Sequence, residues 1–180
     1  MKNFSVTKFV YAFLIAVMAF GAFGTPAAQA ASPEAKKGNT IVDVALAANA
    51  QSGEFSILIA ALQAADPSVI QTLSGKGQFT VFAPTDAAFV SLLSELNLTA
   101  PQLLSNKALV TKVLLYHVAR GNRDSADVLA SDRIRTLQGG FLFQGGGVLT
   151  DANGRTANII DTDIKASNGV IHVIDRVVLP

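Results

Sequence analysis

The stretch Thr80-Val-Phe-Ala-Pro-Thr-Asp-Ala-Ala-Phe89 is the most informative part of the chain for its fold. Residues 79–82 are predicted to form a strand, and Pro84 ends that strand because proline cannot donate to a strand ladder. Thr85 or Asp86 then supplies the side-chain oxygen that satisfies free amides at the start of a helix. The stretch therefore predicts a strand that turns sharply into a helix.

The rest of the chain divides into a helical first half and a β-rich second half. Apolar residues repeat at helical spacing through the first half, and short β-like runs separated by glycine-rich turns follow from Ile134 onward. This order predicts an α+β domain. The predicted helices cover residues 41–48, 55–65, 69–73, 86–96 and 107–116 with a short piece from Thr99, and the predicted strands cover residues 141–144, 148–150, 156–160 and 169–179.

Two further stretches carry recognisable patterns. Leu115-Tyr-His-Val118 is expected to lie between a helix and a strand. In Asn168-Gly-Val-Ile-His-Val-Ile-Asp175 both faces of the strand are apolar, which predicts a central strand. His172 shares a face with apolar neighbours and is expected to be a hydrogen-bonded core residue. Asp175 and Arg176 are expected to pair at the end of the strand.

In this order and spacing the three stretches resemble the fasciclin-type adhesion domain (beta-Ig-H3/fasciclin), and the resemblance covers residues 39–180. It implies a wedge of two β-sheets decorated by several helices. It also implies a non-catalytic protein without cofactor or metal that binds a cell-surface or matrix component, either protein or glycan. The ligand itself is not encoded in these motifs.

The resemblance also implies four candidate adhesion contacts. Tyr116 and His117 match a tyrosine-histidine pair proposed as an integrin contact in animal members, and Asp163 and Ile164 match an aspartate-isoleucine pair in adhesive animal members. The alternative for Tyr116 and His117 is packing and hydrogen bonding inside the domain. For Asp163 and Ile164, which are expected between two β runs, the alternative is a solvated turn.

The first thirty residues have the pattern of an export signal. Lys2 and Lys8 precede an apolar run over residues 9–23, which is shorter than the roughly 20 residues that span a bilayer. Cleavage is predicted between Ala30 and Ala31, followed by a flexible lead-in over residues 31–38 and the domain over residues 39–180. The protein is therefore expected to be secreted, in the periplasm or outside the cell, with no transmembrane segment in the mature chain.

Composition narrows the classes of function further. The net charge is +1, and removal of the two lysines in the signal lowers it to about −1, which gives no electrostatic case for binding nucleic acid. The chain has no cysteine and two histidines, and it lacks the motifs of serine hydrolases and zinc proteases. Asp161 and Asp163 alone do not make a glycosidase site. No catalytic residue is therefore predicted.

Two other functions stay open from the sequence. One is an envelope carrier for a lipid or a polysaccharide, which would need a lined pocket or exposed aromatic residues. The six phenylalanines of the mature chain fall mostly on predicted core faces. The other is an accessory protein that stabilises the envelope without a defined ligand.

Overall fold

The computed structural model describes residues 38–180, so the predicted signal and most of the predicted lead-in lie outside the described residues. Within these residues seven helices and seven strands form an α+β arrangement, which confirms the predicted class. The helices are α1 (Ile41–Ser52), α2 (Ser56–Ala64), α3 (Pro67–Leu73), α4 (Asp86–Leu96), α5 (Ala100–Ser105), α6 (Lys107–Tyr116) and α7 (Ser125–Leu129). The strands are β1 (Phe79–Pro84), β2 (Val118–Arg120), β3 (Arg133–Arg135), β4 (Phe141–Gly145), β5 (Val148–Thr150), β6 (Thr156–Ala166) and β7 (Gly169–Ile174).

The strands pair in the order β2-β1-β7-β6-β5-β4-β3. β1 and β7 are parallel, and the other neighbours are antiparallel. β6 belongs to two ladders: residues 156–158 pair with β5, and residues 159–166 pair with β7 across two register shifts. The described residues therefore hold two sheets that share β6, and the outermost strands β2 and β3 approach each other at a bridge between Ala119 and Thr136.

β1 and β7 form the centre of the fold because every residue of both strands is buried. The helices cover one side of this pair and enclose the larger apolar core. A second, smaller core lies on the other side and includes side chains from β4 and β5. Its largest fully buried members are Phe82, Tyr116, Ile134, Leu142, Leu149 and Ile174.

The last strand is shorter than predicted. β7 ends at Ile174, whereas the apolar run suggested a strand to Leu179. Asp175 accepts hydrogen bonds from the backbone and side-chain nitrogens of Asn158, both at 2.7 Å. The amide of Leu179 donates to Asp151 at 2.8 Å, so side chains replace a strand partner there. Side-chain acceptors thus end the ladder where the apolar pattern alone would continue it.

Two local predictions were wrong. The segment around Asp161 and Asp163 was expected between two β runs, but it is the irregular middle of β6. Asp175 and Arg176 do not pair with each other: Arg176 lies 3.6 Å from Glu95 instead. Both errors concern polar residues whose partners are distant in the sequence.

A helix that crosses a membrane needs roughly 20 consecutive apolar residues. Among residues 38–180 no single helix is long and apolar enough to cross a membrane. α2 and α3 meet the length and hydropathy requirement only when they are taken together, and they are bent by 117° to each other.

Candidate functional site

The corner between β1 and α4 caps two helices at once. Thr85 caps α4, because its hydroxyl oxygen accepts a hydrogen bond from the amide of Ala88 at 3.3 Å. Asp86 caps α2 instead: its carboxylate accepts from the amides of Ser56 at 3.1 Å and Ile57 at 2.8 Å. α2 has no side-chain cap of its own, so Asp86 supplies it from a distance of about thirty residues along the chain. The corner is therefore a folding device.

Tyr116 lies in the smaller core and is fully buried. Its hydroxyl donates to the carbonyl oxygen of Phe141 at 2.7 Å and accepts from the amide of Ala152 at 3.2 Å. Burial raises the pKa of Tyr116, so the hydroxyl stays protonated and can keep donating. The side chain thereby connects the end of α6 to β4 and to the turn after β5.

His117 is also buried, and both of its ring nitrogens have partners. Nδ1 lies 2.8 Å from the carbonyl oxygen of Val113, and Nε2 accepts from the amide of Val178 at 3.2 Å. These partners require the neutral ring with its proton on Nδ1. Burial lowers the pKa of His117 to about 4, although the Val113 carbonyl and the Asp151 carboxylate act in the opposite direction. A partner protein could touch neither this ring nor that of Tyr116 unless the domain opened.

Asp163 and Ile164 lie in the irregular part of β6. Asp163 has a positive φ of 61°, and its carboxylate accepts from the hydroxyl and, at 2.9 Å, the amide of Ser125 at the start of α7. These bonds from Ser125 lower the pKa of Asp163. About a third of the Asp163 side chain, 34%, stays exposed, and Ile164 packs partly buried against the larger core. The pair therefore has both internal contacts and some accessible surface.

His172 is a buried, hydrogen-bonded residue, as expected, and it binds the loop between β2 and α7. Its Nε2 lies 3.0 Å from the carbonyl oxygen of Arg123, and its Nδ1 accepts from the amide of Asp163 at 3.4 Å. Thr80 binds the same loop, because its hydroxyl donates to the carbonyl oxygen of Gly121 at 2.8 Å and accepts from the amide of Arg123 at 2.9 Å. Residues from the first and last sequence motifs thus fix the backbone of Gly121 and Arg123.

A row of exposed aromatic side chains lies on the outer side of β4. Phe141 is 37% exposed and Phe143 is 50% exposed, whereas Leu142 between them is fully buried. β3 places Arg135 opposite Phe141 and Arg133 opposite Phe143. The Arg133 guanidinium also lies over the Phe141 ring, 5.2 Å from its centroid, which is a cation–π contact. We call these four residues the aromatic face.

The aromatic face was not predicted from the sequence. A strand is predicted over residues 141–144, but Phe-Leu-Phe is apolar on both sides, so the pattern does not show which side is buried. One signal was available in Arg133-Ile-Arg135, where the polar alternation gives the outer side of the neighbouring strand. The other four phenylalanines of the described residues, Phe55, Phe79, Phe82 and Phe89, are buried as predicted.

The described residues offer little room for an apolar ligand or a metal. Two apolar cavities have volumes of about 80 Å³ and about 110 Å³. The first lies among α2, α4, α5 and α6, and the second lies between α1, α2 and α3. Pockets for small molecules usually measure roughly 300–1,000 Å³. Among residues 38–180 no group of three or more metal-ligating side chains lies together.

Comparison with known proteins shows the family. The family model of the fasciclin domain matches residues 53–180, and the chain therefore belongs to the fasciclin domain family. The described fold agrees with a solved FAS1 domain pair from the insect cell adhesion molecule Fasciclin I, with a TM-score of 0.54 and 20% sequence identity. That match covers 66% of this chain and 42% of the other chain, and at this identity it shows the fold alone.

Relatives of the chain occur in bacteria and animals. Protein sll1483 of Synechocystis is 42% identical over 146 residues, which are 78% of this chain and 73% of the relative. Immunogenic protein MPB70 of Mycobacterium bovis is 34% identical over 157 residues, which are 86% of this chain and 77% of the relative. Transforming growth factor-beta-induced protein ig-h3 of Sus scrofa is 36% identical over 143 residues, but this chain spans only 19% of that protein.

Proposed function

We propose that this chain is an exported, non-catalytic binding module that attaches to a cell-surface or matrix component through the aromatic face. The observation that carries the proposal is the exposure of Phe141 and Phe143 side by side on β4, while every other phenylalanine of the described residues is buried. Aromatic residues, phenylalanine among them, and arginine are enriched at protein interfaces relative to the rest of the surface.

The geometry of the aromatic face suits attachment. Full burial of an aromatic side chain stabilises by about 1.5–3 kcal/mol, so covering the exposed parts of Phe141 and Phe143 would give a partner a useful contact. Both rings stand on a paired strand whose intervening residue, Leu142, is fixed in the core. A preformed surface of this kind loses little conformational entropy on binding.

The state of the two histidines supports a non-catalytic role. Both ring nitrogens of His117 and of His172 lie within hydrogen-bonding distance of groups inside the domain. Neither ring has a free nitrogen to act as a general base on a bound substrate. The whole chain has only these two histidines and no cysteine, so the usual nucleophile partners are few.

Carriage of a lipid is the weaker alternative. The two apolar cavities, of about 80 and 110 Å³, are several times smaller than the pockets that usually enclose small molecules. Carriage of a polysaccharide would not need an enclosed pocket, and exposed phenylalanines on a strand would suit it. A polysaccharide would then bind the aromatic face, which is also the surface proposed for attachment.

Asp163 and Ile164 remain a second proposed contact region, since part of the Asp163 side chain is accessible. Tyr116 is proposed only as a residue that supports the surface from inside, because it binds the Phe141 carbonyl oxygen. His117, whose ring binds Val113 and Val178, is proposed only as an interior residue. Export through the predicted signal in residues 1–30 is part of the proposal. Support for that location comes from the name of cell surface glycolipoprotein MPB83 of Mycobacterium bovis, which is 32% identical over 115 residues, 64% of this chain and 49% of that protein.

The proposal is tested by attachment of host cells and of matrix- or glycan-coated surfaces to the purified protein. The test variant carries Phe141→Thr and Phe143→Thr, which keeps strand-forming residues on β4. The matched control is Val90→Thr, which removes an exposed apolar side chain from α4. We expect attachment to fall several-fold in the double variant only, at unchanged thermal melting. Equal attachment by all three proteins, or attachment by none, would overturn the proposal.

A variant with Asp163→Ala and Ile164→Ala tests the second contact region in the same assay. Because Asp163 binds Ser125 at the start of α7, this variant is compared only after its melting temperature has been measured. If the folded Asp163 and Ile164 variant loses attachment while the phenylalanine variant attaches as well as wild type, the contact lies on β6 and not on β4.

A further inference from the structure

An open groove of about 350 Å³ adjoins the aromatic face where β2 and β3 approach each other. Its volume is within the usual range for ligand sites. Three arginines contribute to its walls, one from β2, one from the loop after β2 and one from β3. We call it the arginine groove, and its lining residues are Arg120, Arg123, Arg135, Thr136, Leu137 and Gly139.

The positive charge of the arginine groove is not neutralised from within the described domain. Among residues 38–180, no carboxylate lies within 4 Å of any of the three guanidinium groups, although other arginines form ion pairs. The guanidinium of Arg123 donates one hydrogen bond to the hydroxyl of Ser131 at 3.2 Å. The acidic residues of the same segment, Asp124, Asp127 and Asp132, do not line the groove. Three guanidinium groups in one groove favour an anionic ligand.

The groove is also held in shape by residues of the sequence motifs. The backbone of Arg123 is fixed by Thr80 through its amide and by His172 through its carbonyl oxygen. The loop from Thr136 to Gly140 is closed by a bond between the Thr136 amide and the Gly140 carbonyl oxygen at 2.9 Å. Because both walls are anchored before a ligand arrives, little ordering would be needed on binding.

We propose that the arginine groove binds a carboxylate or sulfate group of an acidic polysaccharide, while the aromatic face holds the sugar rings beside that group. Arg135 belongs to both surfaces, since it lines the groove and lies opposite Phe141 in the sheet. A guanidinium group matches the planar fork of a carboxylate and the oxygens of a sulfate. The inference rests on the proposed function, because it names the ligand class of the same side of the domain.

Charge favours a polysaccharide over a nucleic acid. The whole chain has a net charge of only +1, and acidic residues flank the arginines in the segment from Arg120 to Arg135. Nucleic-acid binding draws its affinity from many phosphate contacts along a basic surface. A groove with three arginines beside exposed phenylalanine side chains suits a polymer whose anionic groups are carried on the sugar rings themselves, so that ring faces lie next to the charge. The phenylalanine row then supplies contacts that a free inorganic anion would not use.

The test is isothermal titration calorimetry of the purified protein with a polyuronate, with dextran sulfate and with neutral dextran. The variant carries Arg120→Gln and Arg135→Gln, which removes two charges from exposed positions and keeps hydrogen-bonding side chains. The matched control is Arg176→Gln. Arg176 is an exposed arginine that pairs with Glu95, and neither residue lines the groove. Melting temperatures are recorded for all three proteins.

We expect binding to the two acidic polymers and none to neutral dextran. The double variant should bind at least about tenfold more weakly and the control within about twofold of wild type, since charge-assisted hydrogen bonds are roughly twice as strong as neutral ones. Added sodium chloride should weaken binding, and inorganic sulfate should compete for the groove.

Several outcomes would overturn the inference. The first is that neither acidic polymer binds. The second is that the double variant binds the acidic polymers as tightly as wild type does. The third is tighter binding to single-stranded DNA or to anionic lipid vesicles than to the acidic polymers. Binding of inorganic sulfate without binding of the polymers would also overturn it. If the protein attaches to cells through Phe141 and Phe143 but binds no acidic polymer, the proposed function stands and only this inference fails.

Discussion

At the scale of single residues, the side chain of Asn168 holds three segments together. Its Oδ1 accepts from the amide of Ile41 at 2.8 Å, and its Nδ2 donates to the carbonyl oxygens of Leu73 at 2.6 Å and Gly75 at 3.0 Å. The residue is buried, so each lost partner would leave an unsatisfied group in the interior. The start of α1, the end of α3 and the turn before β7 therefore depend on one amide.

Replacement of Asn168 by alanine should lower the free energy of unfolding by about 3 kcal/mol, at about 1 kcal/mol for each lost hydrogen bond. Urea denaturation measures the change. Asn153→Ala is the matched control, because Asn153 is exposed and its side-chain nitrogen makes only a 3.4 Å contact with the Leu179 carbonyl oxygen. An effect of Asn168→Ala as small as that of the control would contradict the role given to this amide.

His117 should make stability depend on pH. Its pKa in the folded protein is about 4, below the ordinary 6.5, so the unfolded chain binds the proton more readily. The free energy of unfolding should then be highest above pH 6.5 and fall as the pH drops toward 4, by up to about 3 kcal/mol. Asp66 and Asp163, whose pKa values are lowered, lose their stabilisation only as the pH falls below the ordinary value of 3.8.

Thermal melting between pH 4.5 and 7 measures this dependence. His117→Gln keeps a donor and an acceptor but does not titrate, so its curve should be flatter than that of wild type over the same interval. The comparison uses the slope with pH, because the variant is expected to start from a lower stability. Parallel slopes in the two proteins would assign the pH dependence to other groups.

At the scale of elements, the corner after β1 links two helices through Asp86. Asp86→Ala should lower the free energy of unfolding by about 1–2 kcal/mol, the usual effect of losing a helix cap. The change should be local: amide hydrogen exchange should increase at Ser56 and Ile57 in α2 but not at Ala88 in α4, which Thr85 caps. Faster exchange in α4 rather than α2 would contradict this assignment of the two caps.

Much of the element order followed from local sequence patterns. The strand that leads into α4 and the helix α6 were predicted close to their observed bounds, because capping and apolar periodicity act over a few residues. α7 was not predicted. It has five residues with one buried side chain, Val128, which is too short for periodicity to show. The polar residues in the middle of β6 predict a connection between two strands, but they obtain partners from α7 and β7 and lie within one strand.

The candidate site was less predictable than the fold. The sequence could not show which side of β4 is buried, since Phe141, Leu142 and Phe143 are all apolar. That choice is made by the pairing of β4 with β3 and β5 and by packing of Leu142 in the core. The arginine groove depends on residues from separate elements, which a motif of adjacent residues does not describe. The aromatic face and the arginine groove are therefore formed by strand pairing between distant parts of the sequence. The sequence motifs contribute only buried side chains that support these surfaces from inside.

At the scale of the whole molecule, one exposed face gives one contact for each copy of the domain. Beads that carry many copies should therefore hold a target surface far better than the soluble protein at equal concentration, because linked contacts raise avidity by about 10²–10⁴. Flow detachment of coated beads measures this gain. Beads coated with the Phe141→Thr and Phe143→Thr variant should detach as blank beads do. Firm retention of those variant beads would show that another surface makes the contact.

Carbene labelling with mass spectrometry, on the protein free and attached to its target surface, shows which side chains the attachment covers. We expect attachment to protect Phe141 and Phe143 from labelling, while the exposed side chains of Leu46 and Val90 on the helices stay equally labelled. Protection at Leu46 or Val90, or at Asp163 and Ile164 alone, with unchanged labelling of β4, would contradict the claim that the aromatic face makes the contact.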